Sequence, residues 1–361
     1  MSAPDTSPLL RALRGDRPDR LPVWFMRQAG RSLPEYRAAR RGTAMLDACL
    51  TPALAAEITC QPVRRHGVDA AVFFSDIVVP VRLAGVGVQI APGVGPVLER
   101  PVRTAREVAA LPELDPAALE PIREAVGLAI AELGPTPLIG FAGAPFTVAS
   151  YLVEGRPSRE LALTRALLRE DPSTWHALLG WVARASTAFL QAQIEAGASA
   201  VQLFDSWVGA LSEADYREAV MPHSAAVLAA VRGLGVPRIH FGTGTAHLLC
   251  ALHEAGADAV GVDAQTPLDE AVATLGSRVP VQGNIDPQVL GAPWAVVDEH
   301  VRDVVRRGAA APAHVVNLGH GVPPDTDPDV LTRLVALVHS LGSGSEPSPE
   351  RGPPVAAETT S

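Results

Sequence analysis

Two arginines four residues apart, Arg27 and Arg31, stand in the segment MRQAGR directly after an apolar run. A planar guanidinium matches a carboxylate or phosphate through two parallel hydrogen bonds. Ser32 and Glu35 follow with the S-x-x-E spacing of a capping box and with Pro34 between them. That pattern predicts a helix starting after Arg31, so both arginines are expected just before a helix N-terminus, where anions bind. Arg37, Arg40 and Arg41, further along, read as a solvated face. Asp76 follows VFFS, so its carboxylate sits at the end of an apolar strand. Such a group can meet positive charge or N–H donors at low dielectric, or can cap a turn. Tyr151, Ser206 and His320 add a phenol, a hydroxyl and an imidazole set between two glycines. A core tyrosine, a cap and a histidine bonded to main chain are the structural readings of these three.

Much chemistry is excluded by what the chain lacks. All 30 basic residues are arginines, so a lysine imine, a lysine base and a Walker A lysine are impossible. Cys49, Cys60 and Cys250 fit no zinc or iron–sulfur spacing, and their odd number suits a reducing cytoplasm. There is no GxSxG elbow, and His240, His247 and His253 lack HExxH spacing. A GxG at Gly242 and Gly244 lacks a third glycine and reads as a tight turn. A net charge of −9 argues against a general nucleic-acid footprint. No apolar run reaches the roughly 18 residues of a membrane span, and the start lacks the basic and apolar regions of a secretory signal. A cytoplasmic protein is expected.

These residues must be positioned by a regular scaffold. Apolar runs recur at 21–25, 70–74, 138–143, 200–204, 238–242, 259–263, 279–284 and 315–320. Several are apolar throughout, as in parallel strands buried on both faces. Helical patterns lie between them, for instance 178–197 ending near Gly197. Eight strands alternating with helices predict an α/β fold, a single (β/α)8 TIM barrel over residues 9–341. An open doubly wound sheet is the alternative. Residues 81–102 alternate apolar residues with glycine and predict a β-ribbon insertion after the second strand. Residues 1–8 are expected to be loose. The Gly/Pro/Ser/Glu-rich stretch 342–361 is expected to be a disordered tail. In a barrel the residues after each strand share one rim. That rim would gather Arg27, Gln28, Arg31, Asp76, Tyr151, Asp205, Ser206, His240, Asp263, Asn284, Asp286, Asn317 and His320.

Taken together, WFMRQAGRSLPEYR (24–37), FFSDIVVPV (73–81), GFAGAPFTVASYLVEG (140–155), QLFDSWVG (202–209), VQGNIDP (281–287) and NLGHG (317–321) resemble the uroporphyrinogen decarboxylase family. The resemblance implies a (β/α)8 barrel that converts the four acetate side chains of uroporphyrinogen III to methyls, giving coproporphyrinogen III in haem biosynthesis. It implies no metal and no organic cofactor, and a homodimer with facing clefts. The implied substrate-binding residues are Arg27, Gln28, Ala29, Gly30, Arg31, Asp76, Tyr151, Ser206 and His320. Arg27, Asp76, Tyr151 and His320 are the implied catalytic set.

The chemistry of the residues agrees with this. Loss of carbon dioxide from an acetate needs an electron sink, and with no lysine the substrate pyrrole must serve once its α-carbon is protonated. A buried carboxylate beside the pyrrole N–H groups would stabilise the resulting cation; Asp76 fits that role. Arginine is a poor general acid at its ordinary pKa, so the proton donor stays open. Three segments depart from the family pattern: Ala264 and Gln265 after Asp263, Ser32, and HFGTGT at 240–245. Ala264 is expected to leave a packing gap near the barrel end. Two rival functions remain. A corrinoid-linked methyltransferase would need a zinc-binding His-x-Cys where this chain has His240-Phe241-Gly242. A non-catalytic tetrapyrrole binder would need the pocket without its chemistry.

Overall fold

The computed structural model describes residues 6–342. Among the described residues there are nine strands: β1 (Ala71–Val72), β2 (Val88–Ala91), β3 (Gly95–Leu98), β4 (Leu138–Gly143), β5 (Ala200–Asp205), β6 (Arg238–Gly242), β7 (Ala259–Gly261), β8 (Val281–Ile285) and β9 (His314–Leu318). Seven of them form one parallel sheet in the order β1-β4-β5-β6-β7-β8-β9. Sequential strands are neighbours throughout, with helices in the crossovers, as the right-handed β-α-β rule requires of a curling sheet. The large central strands are buried at nearly every position, which explains why they read as continuous apolar runs rather than alternations.

The strand expected at 21–25 is reduced to a single parallel bridge, Val23 to Val316 of β9. It still joins the two edges of the sheet. On one side Val316 N–H donates to Pro22 O at 2.9 Å; on the other Asp69 N–H, just before β1, donates to Val23 O at 2.8 Å. Pro22 lacks an N–H and breaks the ladder there, which shortens the strand.

Inside the sheet's curve a polar thread runs across the barrel. Trp24 Nε1 donates to Gln282 Oε1 at 3.0 Å, and Gln282 Nε2 to Gln202 Oε1 at 2.9 Å. Phe141, Phe204 and Phe241 pack edge to face beside it. Outside, the helix Pro172–Glu195 buries a long apolar face, and Gln193 closes its contact with the sheet by bonding both N–H and C=O of Phe141.

The predicted ribbon is the antiparallel pair β2–β3, but it is shorter than 81–102. Residues up to Leu83 complete the helix Val79–Leu83. Residues 1–8 are not loose at their end, since Ser7 caps the helix Pro8–Leu13 through its side chain; residues 1–5 lie outside the described residues. At the other end the helix Pro328–Gly342 runs to the last described residue, and the rest of the expected tail lies outside the described residues.

Candidate active site

The residues that could do chemistry follow the C-terminal ends of the strands. Arg27 lies in a turn after the 21–25 segment. Gln28, fully buried, pins that turn. Its Oε1 accepts from Phe25 N–H at 2.9 Å and its Nε2 donates to Ala70 O at 2.9 Å. Asn317 Oδ1 accepts from Met26 N–H at 3.0 Å, tying the same turn to β9. Held on both sides, Arg27 adopts φ +61°, a left-handed conformation that costs a residue with a Cβ about 1–2 kcal/mol. Gly30 permits it, since a Cβ there would stand 2.7 Å from Arg27 O. The Arg27 side chain is exposed and, among the described residues, makes no ion pair and no hydrogen bond. The N–H groups of Ala29 and Arg31 also donate to nothing among those residues.

The helix expected after Arg31 begins later, at Pro34, with Leu33 as its N-cap and no side-chain cap. Ser32 and Glu35 do not form a box. The Ser32 hydroxyl is buried without a partner, and Glu35 is drawn away to Arg65 at 2.6 Å. Competition from a full ion pair with the neighbouring helix Pro52–His66 overrides the local motif. The helix has only six residues, and among the described residues the N–H groups of Ala29 and Arg31 before it are without acceptors.

Asp76 lies four residues beyond β1, half-buried. Its Oδ1 accepts from Val78 N–H at 3.0 Å, so it does cap its own turn. Its Oδ2 makes no hydrogen bond among the described residues. Burial raises its pKa above the ordinary carboxylate value, opposed by the Val78 N–H and by the nearby Arg27 charge. Tyr151 sits on the helix Pro145–Glu154 that follows β4. Burial, then the Asp76 charge, push its phenol up to about 12, against Arg27. It therefore stays a hydrogen-bond donor through the physiological range. Its ring lies against Trp207, centroids 4.1 Å apart. His320 stands two residues past β9. Partial desolvation first, then Arg27, lower its imidazole pKa, with Asp263 opposing. These mutual influences bring Arg27, Asp76, Tyr151 and His320 into one electrostatic neighbourhood. Ser206 is half-buried at the end of β5; its carbonyl accepts from Thr243 Oγ1.

Other rim residues are spent on the scaffold. Asp263 accepts from Gly244 and Gln265 N–H. Asn284 Nδ2 donates to Asp263 O and Thr266 O. Asp286 caps Gln288 N–H at 2.9 Å. His240 is fully buried, 3.8 Å from an Asp205 oxygen. The two glycines flanking His320 serve packing: a Cβ on Gly319 would meet the Ala264 backbone, and one on Gly321 would meet the Arg27 side chain. Ala264 is half-buried and packs closely against the backbone of Gly319. Trp207 is the site residue that sequence reading passed over. An aromatic directly after Asp205-Ser206 at a strand end was the available signal. Thr147 positions it, accepting from Trp207 N–H at 3.2 Å and donating to Asp205 Oδ1 at 2.7 Å.

Comparison with known proteins places the chain in a family. The family model described as uroporphyrinogen decarboxylase matches residues 4–341. The chain is 66% identical over 335 residues to the uroporphyrinogen decarboxylase of Arthrobacter sp. (strain FB24), covering 93% of this chain and 97% of that one. It is 60% identical over 338 residues to that of Salinispora tropica, covering 94% and 91%. Among solved structures, a methyltransferase from Methanosarcina mazei superposes with a TM-score of 0.78 at 18% identity, over 94% of this chain and 99% of that one. At that identity the likeness shows a shared fold, and the extent of the sequence match decides the family. The chain belongs to the uroporphyrinogen decarboxylase family.

Proposed function

We propose that this chain decarboxylates uroporphyrinogen III at its four acetate side chains, releasing coproporphyrinogen III and carbon dioxide, as a carboxy-lyase of haem biosynthesis. The observation that carries the mechanism is the placement of Asp76: a half-buried carboxylate with one oxygen uncommitted, beside Arg27 and Tyr151.

Each step converts a side-chain acetate and one proton into a methyl group and carbon dioxide. A pyrrole α-carbon takes a proton and the ring becomes an iminium-type cation. Electrons of the bond to the departing carboxyl flow into that cation, and carbon dioxide leaves. The methylene carbon is then protonated and the α-proton is returned. Asp76 accepts hydrogen bonds from the pyrrole N–H groups and stabilises the cation, most strongly when the charge is largest. Arg27, Arg31 and the free N–H groups of Ala29 and Arg31 hold substrate carboxylates. Gln28 and Gly30 contribute by fixing the turn that presents them. Tyr151 and Ser206 donate hydroxyls, and His320, held neutral by its lowered pKa, completes the mouth. The reading needs no metal and no organic cofactor. It includes a cytoplasmic homodimer with facing clefts, which rests on the family resemblance. No helix among the described residues is long and apolar enough to cross a membrane.

The test is anaerobic incubation with uroporphyrinogen III, with products oxidised and separated by carboxylate number. Stepwise conversion to a tetracarboxylate is expected. Unchanged octacarboxylate would refute the assignment.

A further inference from the structure

Opposite the rim, at the N-terminal ends of the strands, a solvent-open cavity of about 430 Å³ lies between β6 and β8. Its charged lining is Arg14, Arg232, Arg238, Arg278, His253 and Asp258. Four guanidiniums face one carboxylate in a chain whose net charge is −9. That one carboxylate is already committed. Asp258 Oδ2 accepts from Arg238 Nε at 2.8 Å and Asp258 Oδ1 from Arg238 Nη2 at 2.7 Å. Arg238, the first residue of β6, is almost wholly buried, and its Nη1 also donates to Leu228 O at 3.3 Å. The pair forms a rigid, charge-balanced floor. His253 is fixed as well, its Nδ1 facing Ala257 O at 2.9 Å. Arg232 and Arg278 therefore add positive charge that no carboxylate of the lining offsets.

Arginines near helix C-termini commonly complement the negative helix end, and Arg232 does occupy the last turn of the helix Met221–Arg232. Yet among the described residues the side chains of Arg232 and Arg278 donate to no carbonyl and pair with no acid. Arg232 Nη2 reaches toward Gly256, where a Cβ would find it 3.7 Å away and Arg238 Nη1 4.0 Å away. Arg232 and Arg238 thus lie close together beside Gly256, and both line the cavity together with Arg278. We propose that this cavity binds a compact oligoanion carrying at least two phosphate or carboxylate groups, at a site separate from the decarboxylation cleft. A cavity of this size lies within the range of small-ligand sites. Forked guanidiniums are the groups that recognise such anions bidentately.

The test is calorimetric titration of the full chain with inorganic pyrophosphate and, separately, with citrate. The proteins are the wild type, R232Q/R278Q and R27Q/R31Q. Saturable binding at one cavity site per chain is expected in the wild type and in R27Q/R31Q. R232Q/R278Q should bind about tenfold or more weakly, since two charge-assisted contacts are lost, while its decarboxylation rate stays at the wild-type value. Tighter pyrophosphate assigns the site to phosphorylated ligands; tighter citrate assigns it to polycarboxylates. Three results would overturn the proposal: no saturable binding of either anion, equal binding by R232Q/R278Q, or binding abolished in R27Q/R31Q. A circular dichroism melt without ligand shows that R232Q/R278Q is folded under assay conditions.

Discussion

Replacing Gln28 with leucine keeps most of the side-chain volume and removes both of its hydrogen bonds. The lost partners are Phe25 N–H and Ala70 O, each 2.9 Å away and each buried. A buried backbone group left without a partner costs about 1–3 kcal/mol. The two together give about 2–6 kcal/mol, a large part of the roughly 5–15 kcal/mol that holds a domain folded. The same change frees the turn that keeps Arg27 at φ +61°. Misplacing a substrate-positioning group by about 1 Å can cost about a hundredfold in rate, so kcat/KM should fall with stability. The assay is equilibrium urea unfolding beside decarboxylation kinetics. An unfolding free energy within about 0.5 kcal/mol of wild type, together with a raised KM, would refute the reasoning and make the Gln28 side chain a direct substrate contact.

The other consequences are as follows. Trp207→Ala removes a ring 4.1 Å from Tyr151; a pair of this kind contributes about 0.5–1.5 kcal/mol, so kcat/KM should drop about twofold to tenfold, with Trp207→Phe recovering most of it. Gly30→Ala places a Cβ 2.7 Å from Arg27 O; it should cost about 1–3 kcal/mol by overpacking and slow turnover, and unchanged kinetics would show that the turn has room to shift. Stability should fall as pH drops from about 6.5 to 4. Burial lowers His66 and His314 to about 4, so the unfolded chain takes up protons there that the folded chain refuses, and stability rises with pH across that window. Each contributes up to about 3 kcal/mol by that linkage. A flat profile of unfolding midpoint against pH over that range would contradict it.

How far the fold could be read depended on where local signals met competition. Runs such as 138–143 and 238–242 were legible because central strands buried on both faces carry no competing pattern, and they match β4 and β6 residue for residue. The 21–25 run was legible as a position but not as a ladder, because Pro22 removes one donor. The S-x-x-E motif at Ser32 failed for a non-local reason: Arg65, thirty residues away, claims Glu35. Asp76 was visible by its place after an apolar run. Its double role, one oxygen capping Val78 and the other free, needed coordinates. The glycines around His320 fit closely against Ala264 and Arg27, a contact that sequence does not encode. Asp263 and Asn284 looked like site residues because strand-end polar groups share a rim; three-dimensional bonding shows them closing turns.

In the proposed reaction Asp76 acts as an ionised carboxylate against a cationic pyrrole. Asp76→Asn keeps the shape and the Val78 cap and removes the charge. Because burial raises the Asp76 pKa, the folded chain holds this ionised group at a cost to its own stability at neutral pH. The neutral amide should therefore leave the unfolding midpoint unchanged or higher. Removing one preorganised electrostatic group from a transition state typically costs about a hundredfold to a thousandfold in kcat. Single-turnover decarboxylation of uroporphyrinogen III by Asp76→Asn, beside its urea unfolding curve, reads both effects. A rate lower by about that factor is expected in a protein at least as stable as wild type. A rate within a few-fold of wild type would contradict it.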